Sequence, residues 1–239
     1  DDKIDGIMCA RGGVGSLWLL ERLHYDVIQN NPKIFCGFSD VTALNMAIYG
    51  KTGLSTFHGP MLHNLLKNEN DLTTNAFTRV VDGALELMHL SVEQDGITPV
   101  RQGSVTAPLI GGNLALLINL IGTPYDVPYD GHILFIEDVD EYYYSLDRML
   151  LHLQRAGKLA NIKGLIVGDM QDIHDNEEPY GFSVREMIED VMEGLEVPVV
   201  MDVPCGHGHN ILTFPMGVPA TLEVGEEATR LTLKEPATK

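Results

Sequence analysis

The sequence predicts an α/β protein in two lobes, and three observations carry that expectation. Short apolar runs rich in Ile, Val and Phe alternate with helical patterns through the first part of the chain. The corners between them are glycine- or serine-rich, as at RGGVGS (11–16) and GFSD (37–40). Beyond a mixed stretch near residues 80 to 105, strands dominate and helices are interposed. No internal repeat or low-complexity tract interrupts the pattern.

Pro32 to Tyr49 organises the rest. It reads as a strand over Ile34–Phe38, then Ser39, then a helix opened by Asp40 with Val41, Leu44, Ala47 and Ile48 on its apolar positions. A serine at such a corner projects its hydroxyl away from the sheet, beside the unpaired N–H groups of a helix start. That setting suits a nucleophile whose reaction places negative charge on a carbonyl oxygen. An ordinary N-cap is the competing reading, and the run lacks the final glycine of Gly-x-Ser-x-Gly.

Before it, Ile4–Ala10 reads as a strand and Leu17 to about Arg22 as a helix, joined by the glycine turn. Gly12, Gly13 and Gly15 fit neither the P-loop nor the dinucleotide spacing, so an anion- or oxyanion-binding turn is expected. Trp18 is expected in the core or the cleft wall. After TFHGPM (56–61) the chain is expected to be helical in pieces, with NENDLTTN (68–75) a polar interruption. An apolar helix follows Gly111–Gly112–Asn113, and HILFI (132–136) is a strand ending at Glu137 and Asp138. A carboxylate there can point into a cleft, or pair with Arg148, or lie exposed. A helix with Leu146, Met149, Leu150 and Leu153 on one face comes next, then a strand at Ile162–Val167. DMQDIHDNEEPYGF (169–182) is expected to be a solvated loop. Ser183 and Glu186 promise a capping box for the helix to Gly194, and a strand at Val197–Met201 leads into VPCGHGHN.

Composition narrows the function. With 239 residues the chain can build a sizeable core, and its net charge of −18 leaves no basic footprint for nucleic acid or an anionic membrane. No apolar run is long enough to span a bilayer. The N-terminus is acidic and lacks the apolar core of a signal peptide. Three scattered cysteines point to reduced thiols and a cytoplasmic setting.

His207 and His209 are the further candidates, since either could serve Ser39 as general base with Glu137 on the second ring nitrogen. Ser, Glu and His would form a triad that needs no metal or other cofactor. A metal site would need His58, Cys205 or the acidic loop to join the two histidines.

Blocks along most of the chain resemble the LD-carboxypeptidase family, serine peptidases that include murein tetrapeptide carboxypeptidases and microcin C self-immunity hydrolases. The matching stretches are IMCARGGVGSLWLL, NPKIFCGFSDVTALNMAI, TFHGPM, PLIGGNLALLINLIGTPY, HILFIEDVDEYYYSLDRMLLHLQRAGKL, IKGLIVGD and VPCGHGHNILTFPMGVPATL. The resemblance implies Ser39 as nucleophile, Glu137 as acid and His207 as base, with backbone N–H groups of Gly13 and Asp40 as the oxyanion hole. Arg11, with Gly12 beside it, is the candidate for holding the substrate's carboxylate; an internal salt bridge is the competing role for Arg11. The implied fold is an N-terminal layered domain like class I glutamine amidotransferases (residues 1–90) and a strand-rich C-terminal domain (91–239). The family's leading β–α–β portion is missing from this stretch, so the first domain is expected to be incomplete. EDVDEYYYSLDRML resembles the murein-recycling branch. Phe77 is the sole ring between TFHGPM and PLIGG, which offers little for stacking a nucleobase. A small murein peptide as substrate and a homodimer are the implied partners.

Overall fold

The computed structural model describes residues 1–67 and 71–238. The chain opens with β1 (Gly6–Met8), a 3₁₀ segment (Ser16–Arg22), α1 (Tyr25–Asn30), β2 (Ile34–Cys36), a 3₁₀ turn (Ser39–Val41) and α2 (Thr42–Thr52). β3 (Phe57–His58), α3 (Leu62–Lys67), α4 (Asp71–Val81), β4 (Glu86–Ser91), α5 (Val92–Asp95), β5 (Thr98–Arg101) and β6 (Gly103–Asn113) follow. Then come α6 (Leu114–Leu120), β7 (Ile133–Val139), α7 (Tyr143–Arg155), β8 (Gly164–Gln171), α8 (Val184–Val191) and β9 (Val199–Val203). β10 (Phe214–Pro215), β11 (Pro219–Val224) and β12 (Ala228–Leu233) complete it.

Two sheets result. The smaller has the order β1-β2-β3-β10, and the larger β4-β12-β11-β6-β7-β8-β9-β5. In the larger sheet β6, β7, β8 and β9 run parallel, and β4, β12, β11 and β5 add antiparallel ladders at either side. The sequence explains the division. β7 is apolar over Ile133–Ile136 and buried on both faces, as a central parallel strand must be. β12 buries alternate residues, the signature of a strand with one wet face.

One face of the parallel strands carries α2, α6, α7 and α8, whose Ala43, Met46, Leu114, Leu117, Leu146, Leu150 and Ile188 share a core. On the other face, Phe57 and Phe214 of the small sheet pack with Leu109, Phe135 and Ile166 of the large one. The Phe135 and Phe214 rings meet edge-on, with centroids 5.2 Å apart. β10 reaches the small sheet only after the chain has left β9, so the connection 204–213 crosses from one sheet to the other.

Several expectations are revised. The polar stretch 68–75 is helical from Asp71 onward, and its first three residues lie outside the described residues. Helix α1 was not apparent from the pattern. Leu17–Arg22 is 3₁₀ rather than α-helical. Strand β7 continues to Val139, so Glu137 lies within it rather than at its end. β8 runs on to Gln171 because β7 offers a continuing ladder, with Asp138 opposite Met170 and Val139 opposite Gln171. Asp169 is therefore a strand residue and not part of a solvated loop. Trp18 is 80 % exposed and so lies outside the core. The capping box at α8 forms as expected, with Glu186 accepting the Ser183 N–H at 2.8 Å.

Candidate active site

The strand β2 ends at Cys36, and Ser39 takes a left-handed backbone conformation, φ 63°, before the 3₁₀ turn merges into α2. A non-glycine residue there costs about 1–2 kcal/mol. Buried Asn45 of α2 holds the corner from below, donating to the Gly37 carbonyl at 2.9 Å. Phe38, not Ser39, occupies the N-cap position of the 3₁₀ turn, and the Ser39 hydroxyl turns to His207 instead.

Helix α2 is docked to the large sheet beside the acid. The Thr42 hydroxyl accepts the Asn113 N–H at 3.0 Å, and Gly112 approaches so closely that a Cβ there would lie 2.6 Å from Thr42. In the parallel register Asn113 stands opposite Glu137. The helix that follows Ser39 is thus anchored one strand away from the Glu137 carboxylate.

His207 closes the gap from the 204–213 connection. Its Nε2 lies 3.0 Å from Ser39 Oγ, and its Nδ1 lies 2.6 Å from Glu137 Oε2. Glu137 is fully buried. Gly206 packs directly against it, and a Cβ there would fall 2.8 Å from Glu137 Oε2. Phe38 lies edge-on to His207, with centroids 4.9 Å apart. His209 is exposed and lines a groove of about 750 Å³ between α4 and β4.

The electrostatics follow from burial. Desolvation pushes the Glu137 carboxyl above its ordinary 4.5, partly offset by the hydrogen bond and charge of His207. Desolvation opposes protonation of His207, but the Glu137 hydrogen bond and charge, with Asp138 and Asp169 behind, outweigh it and raise its pKa. Asp138 is lifted to about 6 by burial; its oxygens accept from Asn113 Nδ2 and the Ala115 N–H, which fixes the start of α6. His58 is driven down to about 4 by burial and stays neutral at physiological pH.

The glycine turn lies over the serine. A Cβ on Gly12 would sit 3.0 Å from Ser39 Oγ, so glycine keeps that approach open, and Gly13 has φ 149°. The Asp40 carboxylate reaches across to accept both the N–H and the hydroxyl of Ser16, at 2.9 and 2.8 Å. This ties the first 3₁₀ segment to the residue after Ser39. Ser16→Ala is expected to lower unfolding stability by about 1–2 kcal/mol in denaturant titration, since Ser16 is buried and its hydroxyl bonds a charged acceptor. Arg11 is exposed, with Nε 3.4 Å from the Gly12 carbonyl and no ion pair among the described residues. Arg148 lies over the Tyr144 ring rather than on Glu137.

The alternative of a metal centre finds no support in the donor geometry. Among the described residues no group of three or more His, Cys, Asp or Glu side chains could hold an ion. His58 meets Cys205 through the latter's carbonyl, not its thiol. No described helix is long and apolar enough to cross a membrane.

Ser16, Thr42, Asn45 and Asp169 all support the site without having stood out in the sequence, and His58, considered there only as a metal ligand, supports it by bonding the Cys205 carbonyl. Asp169 carried a usable signal: it follows the apolar run GLIVG much as Glu137 follows HILFI.

Comparison with known proteins places the chain among characterised sequences and structures. Residues 1–59 match the model of the LD-carboxypeptidase N-terminal domain, and residues 106–222 that of the C-terminal domain. A probable murein peptide carboxypeptidase of Bacillus subtilis is 33 % identical over 229 residues, covering 95 % of this chain and 71 % of the relative. The crystal structure of muramoyltetrapeptide carboxypeptidase from Oxalobacter formigenes superposes with a TM-score of 0.86 at 28 % identity, covering 98 % of this chain and 80 % of that one. The microcin C7 self-immunity protein in complex with aspartyl sulfamoyl adenosine also gives 0.86 at 28 % identity, covering 97 % and 77 %. The chain belongs to the LD-carboxypeptidase family of serine peptidases.

Proposed function

We propose that this chain is a serine carboxypeptidase that hydrolyses the L,D peptide bond releasing terminal D-alanine from murein tetrapeptide, a step of peptidoglycan recycling. The observation that carries the proposal is the unbroken relay from Ser39 Oγ through His207 to Glu137, at 3.0 and 2.6 Å.

In this reading Ser39 Oγ attacks the scissile carbonyl while His207 Nε2 takes its proton. Glu137, accepting from Nδ1–H, fixes the tautomer that leaves Nε2 free to accept, and stabilises the imidazolium. The N–H groups of Gly13 and Asp40 receive the oxyanion. His207 then returns the proton to the amine of the departing D-alanine. Water, activated by the same imidazole, hydrolyses the Ser39 acyl-enzyme. Arg11 and Gly12 take the substrate's terminal carboxylate; an exposed guanidinium next in sequence to Gly12, which lies against the serine, suits that anion in a chain of net charge −18.

The nucleophile comes from the lobe of residues 1–90, amidotransferase-like in its layering, and the acid and base from residues 91–239. The enzyme is proposed to work in the cytoplasm as a homodimer, which sedimentation would test.

A second reading is hydrolysis of an aminoacyl or peptidyl nucleotide, because the self-immunity protein is similar over nearly the whole chain. Against it, Phe77 packs onto the core and is not presented as a stacking platform. The test is direct comparison of D-alanine release from murein tetrapeptide with cleavage of an aminoacyl sulfamoyl nucleoside, each with and without chelator. Tetrapeptide turnover at a kcat/KM at least tenfold higher, unchanged by chelator, is the expected result. Preference for the nucleoside would install the second reading. Binding without turnover of either would reduce the chain to a peptide-binding module.

A further inference from the structure

We propose that Asp169 is a positioning residue for His207, holding with His58 the Cys205–Gly206 peptide one residue before it and adding a second negative charge beside the imidazole. The inference deepens the peptidase reading and rests on His207 being its base.

The geometry centres on one peptide bond. The carbonyl of Cys205 and the N–H of Gly206 belong to the same planar unit, and in a trans peptide they point in opposite directions. His58 Nε2 lies 2.6 Å from the Cys205 carbonyl. A carbonyl only accepts, so Nε2 carries the proton and His58 is the neutral Nε2–H tautomer. From the other side, Asp169 Oδ2 accepts the Gly206 N–H at 2.9 Å. The Cys205–Gly206 peptide plane, one residue before His207, is therefore gripped at both ends. His58 comes from β3 of the small sheet and Asp169 from β8 of the large one, so the grip also spans the two sheets.

Two glycines make the grip possible. Gly208 sits against the carboxylate, where a Cβ would fall 2.3 Å from Asp169 Oδ1. Gly206 is pressed onto Glu137. The loop can thus approach both carboxylates, and His207 is held between them. This gives the Gly-His-Gly run a physical reason that flexibility alone does not.

The charge matters separately from the grip. The titratable groups facing His207 are Glu137 and Asp138 on β7, Asp169 on β8 and His58 on β3. His58 is neutral, and Glu137 is the anion in contact. Asp169 pulls in the same direction as Glu137, favouring the imidazolium that forms when Ser39 is deprotonated. Burial raises the Asp169 carboxyl, and the Gly206 and Gly208 N–H groups pull it back.

Two variants separate the roles. Asp169→Asn keeps an acceptor oxygen for Gly206 and removes the charge; Asp169→Ala removes both. The His207 ring is followed by NMR titration, which needs no turnover, and D-alanine release from murein tetrapeptide gives kcat and KM against pH. In Asp169→Asn the His207 titration is expected to fall to lower pH, with the acid limb of kcat/KM moving by the same interval. In Asp169→Ala kcat is expected to drop about tenfold to 100-fold with KM changed less than about twofold, the size of effect a misplaced base produces. An unmoved His207 titration in Asp169→Asn overturns the inference, as does a wild-type kcat in Asp169→Ala. Should Asp169→Ala fail to fold, the near-isosteric Asn variant alone decides. Should the wild-type protein release no D-alanine, the peptidase reading fails, while the titration arm still judges Asp169.

Discussion

Ser39→Ala is expected to lower kcat for D-alanine release by roughly 10⁴- to 10⁶-fold while leaving substrate binding within a few-fold of wild type. The hydroxyl meets His207 Nε2 at 3.0 Å, and among the described residues no other hydroxyl or thiol bonds that nitrogen. The residual rate should come from the proposed oxyanion donors, the Gly13 and Asp40 N–H groups, and from substrate orientation, which the substitution leaves intact. Because the three groups act as a unit, adding His207→Ala to Ser39→Ala should cost almost nothing more. The backbone provides a second readout that activity does not. With φ at 63°, position 39 penalises any residue bearing a Cβ, and glycine escapes the penalty. Ser39→Gly should therefore be more stable than Ser39→Ala by about 1 kcal/mol in chemical denaturation. Equal stabilities would mean the corner is not strained. A fall of only tenfold in kcat for Ser39→Ala would remove Ser39 as the nucleophile.

How far such a site can be read from sequence depends on how local its determinants are. Ser39 is legible because strand, corner and helix are contiguous, and β7 because four buried apolar residues in a row suit only a central parallel strand or a buried helix. Glu137 is legible as a candidate but not as a buried one: its neighbours Gly206 and His207 arrive from 70 residues further on. Spacing alone does not separate His207 from His209, since both sit in Gly-His repeats. What separates them is three-dimensional, namely the packing of Gly206 on Glu137 and the pull of Asp169 on the Gly206 N–H. The resemblance to a family chooses His207 without supplying that reason.

The misses have the same origin. Asp169 looks like the start of an acidic surface loop because DMQD is polar, yet β8 continues to Gln171 through a register shift against β7 opposite Glu137, and Asp169 sits half-buried at that shift. Trp18 looks like core because tryptophan is large and apolar, but its 3₁₀ segment turns Ser16 and Leu20 inward and leaves Trp18 facing solvent. The pairing of Asp40 with Ser16 joins residues 24 apart through a glycine turn, which no helical or strand period could reveal.

Glu137→Gln should separate catalysis from stability in opposite directions. The amide is nearly isosteric and fits the space left by Gly206, but it brings no charge to stabilise the imidazolium and can present an N–H that forces the wrong tautomer. A loss of about 10³- to 10⁴-fold in kcat is expected on the pH plateau. Stability should move the other way. Glu137 is fully buried, and burial pushes its carboxyl above 4.5 despite the opposing pull of His207 and Asn113. The folded protein therefore holds that proton more tightly than the unfolded chain, so stability falls as pH rises from about 4.5 through the folded value. His207 acts in the same sense. Its pKa is raised above 6.5 in the fold, so its contribution is present in full below 6.5 and is lost as pH climbs through the raised value. Replacing Glu137 removes the first titration and, by taking away the anion, lowers the second. The thermal midpoint of Glu137→Gln relative to wild type should then rise steadily between pH 5 and pH 8. A difference that stays flat over this window would mean that Glu137 is not held against its solvation preference. A kcat within tenfold of wild type would mean that His207 does not depend on it.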